Sequence, residues 1–309
     1  YFGVFKAEQT AQRKADHDLR LFAPQKLDEK VDGGAPPADF THLVVTFDGE
    51  TTELEREPGQ PWMIVKPIKT RADHLIVDGL ISQLQTAKFK DTLEENPDAT
   101  ALAKYGLDKP RFTVDATALV NGEARSVKIF GGIENTFDGS VFVRRNDEKP
   151  VYSAPGGVRY SLAKRTFDLR DKTPFGIDDS KLERLVVSSS NKNDYELERD
   201  GKQWKLVKPV AESADAVNVA SMIAATSSDR AQRFLDDTPA NRAASGLDTP
   251  TLRATLTYPD GGVVKLTAAR VAVDGGDPLV FGLREEGDST ALAQLSNAAL
   301  SLDRPPESL

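Results

Sequence analysis

Trp62-Met-Ile-Val-Lys-Pro-Ile-Lys-Thr-Arg-Ala-Asp73 decides the architecture of this chain, because the chain writes it twice. In Trp204-Lys-Leu-Val-Lys-Pro-Val-Ala-Glu-Ser-Ala-Asp215 six of the twelve positions are identical, and Ile64/Leu206 and Ile68/Val210 are conservative exchanges. Self-similarity at a fixed spacing marks an internal duplication. Within the first copy Trp62, Ile64 and Lys66 alternate with Met63 and Val65, the period of a strand. Pro67 and Pro209 have no N–H to give a ladder and end it. Asp73 and Asp215 then precede apolar residues at helical spacing: Val77, Leu80, Ile81 and Leu84 in one copy, and Val219, Met222, Ile223 and Thr226 in the other. Both aspartates read as N-caps whose carboxylates accept free N–H groups of the first turn. Trp62 and Trp204, the bulkiest apolar residues of the unit, read as anchors of strand against helix.

The likeness extends outward. Leu43-Val-Val45 matches Leu185-Val-Val187, and Glu53-Leu-Glu-Arg56 matches Glu196-Leu-Glu-Arg199. Asn96-Pro97 and Thr238-Pro239 each read as a cap followed by proline at the first helical position. Those short helices end at Gly106 and Gly246, the left-handed residue of a helix C-terminus, inside Tyr105-Gly-Leu-Asp-Lys-Pro110 and Ser245-Gly-Leu-Asp-Thr-Pro250. Farther on, alternation over 111–119 and 124–130 flanks the hairpin turn Asn121-Gly122. Strands near 140–145 and 150–154 and a helical turn over 157–164 follow, with counterparts at 252–258, 262–267, 278–283, 290–294 and 296–302. Each copy thus reads as hairpin, strand, helix, short helix and four-stranded meander. The class expected is α+β: two tandem antiparallel sheets, each with a helix on one face.

The expected organisation is a stalk and linker over 1–39, a first repeat over 40–166 and a connector over 167–181. A second repeat over 182–302 and a frayed tail over 303–309 complete it. Lys6–Arg20 is polar, and 21–39 carries Pro24, Gly33-Gly34 and Pro36-Pro37, a linker by composition. The 309 residues are 39% hydrophobic and 28% charged, with a formal net charge of −8. That balance speaks against a nucleic-acid partner, which calls for a basic patch. Cysteine is absent, which removes disulfides, thiolate metal sites and a cysteine nucleophile.

The W-x-[IL]-V-K-P-x4-A-D element, the Gly-Leu-Asp-x-Pro element and the central Leu169-Arg-Asp-Lys172 resemble the domain-of-unknown-function 4340 family, over roughly Leu43 to Ala299. The resemblance implies one N-terminal membrane helix, a polar stalk and an extracytoplasmic tandem domain. It also implies work beside ABC-type transporter or gliding-motility components. The aromatic opening Tyr1–Phe5 followed by Lys6 fits the edge of such a membrane helix. The expected location is therefore the periplasmic face of the inner membrane. The family offers no catalytic residues to carry over. Ser245 departs from Tyr105 at the equivalent place.

Chemistry is sparse. The histidines His17, His42 and His74 are scattered and read as ordinary surface residues, so no metal site, no cofactor and no catalytic residue is expected. Glu94-Glu95, Asp178-Asp179, Asp236-Asp237 and Asp274-Gly-Gly-Asp277 read as solvated loops. Gly131-Gly132 and Gly156-Gly157 lack phosphate-loop continuations and read as turns. Arg170, Asp171 and Lys172, where the copies meet, are the candidate binding group, with a salt-bridge network as the plainer reading. The expected function is a non-enzymatic docking module on a membrane protein complex. The alternative is a glycan or cell-wall polymer binder with its ligand at the junction of the two repeats; Trp62 and Trp204 could stack a sugar, but their shared strand position favours the core.

Overall fold

The computed structural model describes residues 19–23, 38–259 and 261–309. Residues 1–18, with His17 and most of the expected stalk, and residues 24–37 of the expected linker lie outside them; Ala38 and Asp39, expected in the linker, belong to the first strand. The chain divides into two compact units between Asp171 and Lys172.

The first unit is one nine-stranded antiparallel sheet. Its strands are β1 (Ala38–Phe47), β2 (Glu50–Glu55), β3 (Met63–Lys66), β4 (Thr70–Arg71), β5 (Asp91–Glu94), β6 (Phe112–Val120), β7 (Glu123–Glu134), β8 (Val141–Arg145) and β9 (Val151–Ala154). They lie in the order β4-β3-β2-β1-β6-β7-β8-β9-β5. The helices are α1 (His74–Thr86), α2 (Ala99–Lys104), α3 (Gly156–Leu162) and α4 (Thr166–Leu169). Period-2 patterning explains the sheet: Phe112, Val114, Ala116, Ala118 and Val120 all point into the core from the central strand β6. Helix α1 lays Val77, Leu80 and Leu84 on that face, joined by Val158 and Leu162 of α3. Each such buried side chain contributes roughly 1.5–3 kcal/mol. Because α1 leaves from edge strand β4 and is followed by the opposite edge strand β5, it spans the sheet face.

The second unit repeats the plan. Strands β10 (Arg184–Ser189), β11 (Tyr195–Asp200), β12 (Gln203–Lys208), β13 (Glu212–Ser213), β14 (Arg233–Leu235), β15 (Leu252–Thr257), β16 (Val263–Val271), β17 (Leu279–Glu286) and β18 (Ser289–Leu295) carry helices α5 (Ala216–Ser227) and α6 (Pro239–Ala244). The order β13-β12-β11-β10-β15-β16-β17-β18-β14 is that of the first unit, strand for strand. Val219, Met222, Ile223 and Thr226 of α5 are buried, as their spacing predicts. The short strands β4, β5, β13 and β14 are additions to the seven strands per unit read from periodicity. Segments of two to four residues are too short to show a period.

Several local readings hold. Asn121 and Gly122 both take positive φ in the β6–β7 hairpin. Gly106 and Gly246 follow their helices at φ +66° and +70°. A Cβ on Gly106 would also stand 2.7 Å from Cγ2 of Ile133. The Lys66–Pro67 and Lys208–Pro209 bonds are both cis.

Other readings are corrected. The cap of α2 is Asp98, whose carboxylate accepts from Ala101 N at 2.7 Å, and not Asn96. Pro97 therefore sits before the cap, whereas Pro239 does follow its cap, Thr238. Gly131-Gly132 lie within β7 rather than in a turn; a Cβ on Gly131 would fall 1.9 Å from the Phe112 ring, so the glycine makes room for the ring. Gly156-Gly157 begin α3.

The expected linker and tail are also tied down where described. Leu21 and Phe22 are fully buried, and their N–H groups donate to the carbonyls of Ala87 (3.1 Å) and Leu84 (3.0 Å) at the end of α1. They thereby satisfy acceptors that a helix C-terminus leaves open. The tail forms a 3-10 turn over Pro306–Ser308 and buries Leu309. Asp303 accepts from Ser189 Oγ at 2.6 Å and from Asn193 Nδ2 at 2.7 Å. The connector is divided, with Leu169 in the first core and Phe175 and Ile177 in the second.

Candidate functional site

The main chains of Arg170, Asp171 and Lys172 are tied into the fold. Arg170 makes a bridge with Ala72, and Asp171 N donates to Arg71 O at 3.0 Å. These two residues thus close the first unit beside the start of α1. Lys172, in the second unit, accepts at its carbonyl from Ala231 N at 2.7 Å. Burial pulls the Arg170 guanidinium down to about 10, opposed by the charge of Asp171. A cation with this burial closes structure more readily than it greets a ligand.

The sharpest polar constellation lies elsewhere, and it is built twice. Glu53 on β2 has Oε1 3.1 Å from His42 Nε2 and Oε2 2.7 Å from Lys66 Nζ. Glu196 on β11 meets Arg184 at Oε1 (Nη2 2.5 Å, Nε 2.9 Å) and Lys208 Nζ at Oε2 (2.9 Å). A bulge beside each glutamate, between Glu53/Leu54 and Glu196/Leu197, sets Lys66 and Lys208 opposite it. The lysine thereby holds Glu53 below the usual carboxylate range, with His42 adding to the effect. Glu196 is lowered by Lys208 first and Arg184 second. A carboxylate kept ionised in this way is a weak general base near neutral pH and a good seat for a cation. Glu55 stands directly across from His42 in the ladder, and the acceptor atoms of His42, Glu53 and Glu55 lie within 4.8 Å of one another.

A second duplicated group explains the tryptophans. Arg56 lies over Trp62 at 4.9 Å from the ring centre, and Arg199 over Trp204 at 4.3 Å. Arg56 also donates to Phe40 O and Asp39 Oδ1, both at 2.7 Å. Arg199 donates to Leu182 O at 3.2 Å and to Asp179 Oδ1 at 2.7 Å. Each tryptophan is buried in its core, so neither offers a face for stacking a sugar. Asp73 and Asp215 are caps: Asp73 accepts from Ile76 N at 3.4 Å, Asp215 from Val217 N at 2.8 Å and Asn218 N at 3.0 Å.

Reading the sequence matched Glu53-Leu-Glu-Arg56 and Lys66-Pro67 to their copies without joining them. The joining signal was present, since a glutamate and a lysine both recur. Which strands pair, and where the bulge falls, was not.

A family model described as a domain of unknown function, DUF4340, matches residues 62–250, from the first tryptophan to the proline that closes the second Gly-Leu-Asp element. Neither a curated protein nor a solved structure matches the chain.

Proposed function

We propose, from the premise that the chain belongs to the DUF4340 family, that it is a non-enzymatic, membrane-tethered docking module. It works on the extracytoplasmic side, on a membrane complex of the ABC-type transport or motility kind. The observation that carries this reading is an apolar residue left in solvent at the same place in both units. Leu75 is 70% exposed and Val217 76% exposed, each the second residue of the helix that follows the duplicated strand. Val210, in the turn between β12 and β13, is exposed as well. An isolated surface leucine needs no explanation, but recurrence at matched positions is what a shared contact would preserve. The salt-bridged state of Glu53 and Glu196 favours binding over proton transfer. In the same reading each unit descends from one hairpin, strand, helix, short helix and meander module. A tether raises the effective concentration at a membrane partner, so modest intrinsic affinity suffices.

None of these 309 residues is cysteine, so an introduced thiol is the only one among them. The full-length protein carrying Leu75→Cys or Val217→Cys, crosslinked in its own membranes, is expected to capture a subunit of an integral membrane complex. A thiol on a polar face, Glu123→Cys, is the control. Capture at equal yield from all three positions, or from none, overturns the reading.

A further inference from the structure

We propose that His42, Glu53 and Glu55 form a zinc site on the face of the β1–β2 hairpin opposite the core. The argument comes from the duplication. In the second unit the position equivalent to His42 is Arg184, and its guanidinium reaches both glutamates. Arg184 meets Glu196 Oε1 at 2.5 Å and Glu198 Oε1 at 3.5 Å. The two carboxylates of this motif therefore hold a cation between them in the unit where that cation is covalently supplied. The first unit keeps both carboxylates, Glu53 and Glu55, and keeps the lysine on Oε2 of the inner one. It has exchanged the arginine for an imidazole. The guanidinium between the carboxylates of the second unit is a permanent cation, and the imidazole in its place is not.

A neutral imidazole is also a metal ligand, which a guanidinium is not. One imidazole nitrogen and two carboxylate oxygens suit zinc, with water completing the coordination. Zinc would take Nε2 of His42, with the ring proton on Nδ1, together with Oε1 of Glu53 and one oxygen of Glu55. Lys66 stays on Oε2 of Glu53 and orients it from behind, as the partners of metal-bound carboxylates do. The three acceptor atoms start within 4.8 Å of one another, and ligands on one zinc stand roughly 3.3 Å apart. Rotation of the exposed Glu55 side chain closes that gap without moving either strand. Such a metal clamps β1 to β2, as Arg184 clamps β10 to β11.

The test is zinc binding by the purified chain at neutral pH, followed by calorimetry and by thermal unfolding with and without zinc sulfate. The wild type is expected to bind one equivalent and to melt at higher temperature with zinc. His42→Arg, which copies the second unit, is expected to stay folded without zinc and to lose the site. Glu55→Gln, at an exposed position, is expected to weaken binding at least about tenfold. Absence of binding by the wild type, or equal binding by the wild type and both variants, overturns the proposal. This outcome is independent of the docking reading, which concerns Leu75 and Val217.

Discussion

The main-chain N–H of Asp73 donates to the carbonyl of Leu169 at 2.8 Å, so the residue that caps helix α1 also anchors the last turn of its unit. The second unit makes the same closure, from Asp215 N to the carbonyl of Leu309. Each sheet-and-helix unit thus ends by returning to the start of its own helix. The residues at the far end of the chain do for the second unit what α4 does for the first.

Removal of the closure should therefore unfold a unit rather than trim it. Leu309 is buried in the second core. Leu309→Ala is expected to cost roughly 2–4 kcal/mol, by loss of buried area and by the cavity left behind. Deletion of 305–309 should cost more. Chemical denaturation checks both, and the deletion should lower the transition of the second unit alone.

Both capping carboxylates should carry weight. Asp215 accepts from two N–H groups at 2.8 and 3.0 Å, Asp73 from Ile76 N at 3.4 Å. Asp73→Ala and Asp215→Ala are each expected to cost about 1 kcal/mol, with Asn in either place retaining most of the stability. Matched urea titrations of the four variants measure this.

Stability should fall in acid through the glutamate hubs. Glu196 has an ordinary carboxyl value of 4.5 when unfolded and is lowered in the fold by Lys208 and Arg184. Its contribution is complete above the unfolded value and is lost as pH falls through the folded one. Unfolding midpoints followed downward from pH 7 should drop below about pH 4.5. Glu196→Gln should be less stable at neutral pH and show a flatter acid limb.

Arg56 and Arg199 should not tolerate lysine. Each combines contact with a tryptophan face, a bond to a main-chain carbonyl and a bond to an aspartate. Lysine cannot reproduce that fork. Arg199→Lys is expected to cost roughly 1–2 kcal/mol. It should also change the emission of Trp204, measured with Trp62 replaced by phenylalanine.

The amino-acid sequence by itself determined the duplication, the identity of most elements and their terminators. Asp73, Asp215, Gly106 and Gly246 could be read because a cap bonds within three residues of itself and a C-terminal glycine answers a local backbone angle. Strands β6 and β15 could be read because alternation is carried by neighbours along the chain. The tertiary structure alone decided which strands adjoin, since β4 and β5 lie at opposite edges though only nineteen residues separate Arg71 from Asp91. It also decided that Glu53 meets His42 and Lys66, that Leu21 and Phe22 finish α1, and that Leu309 is a core residue. These contacts join residues from eleven to nearly a hundred positions apart. The closure entropy of such contacts is offset only by burial in a completed sheet, and no local pattern records which partners that burial will select.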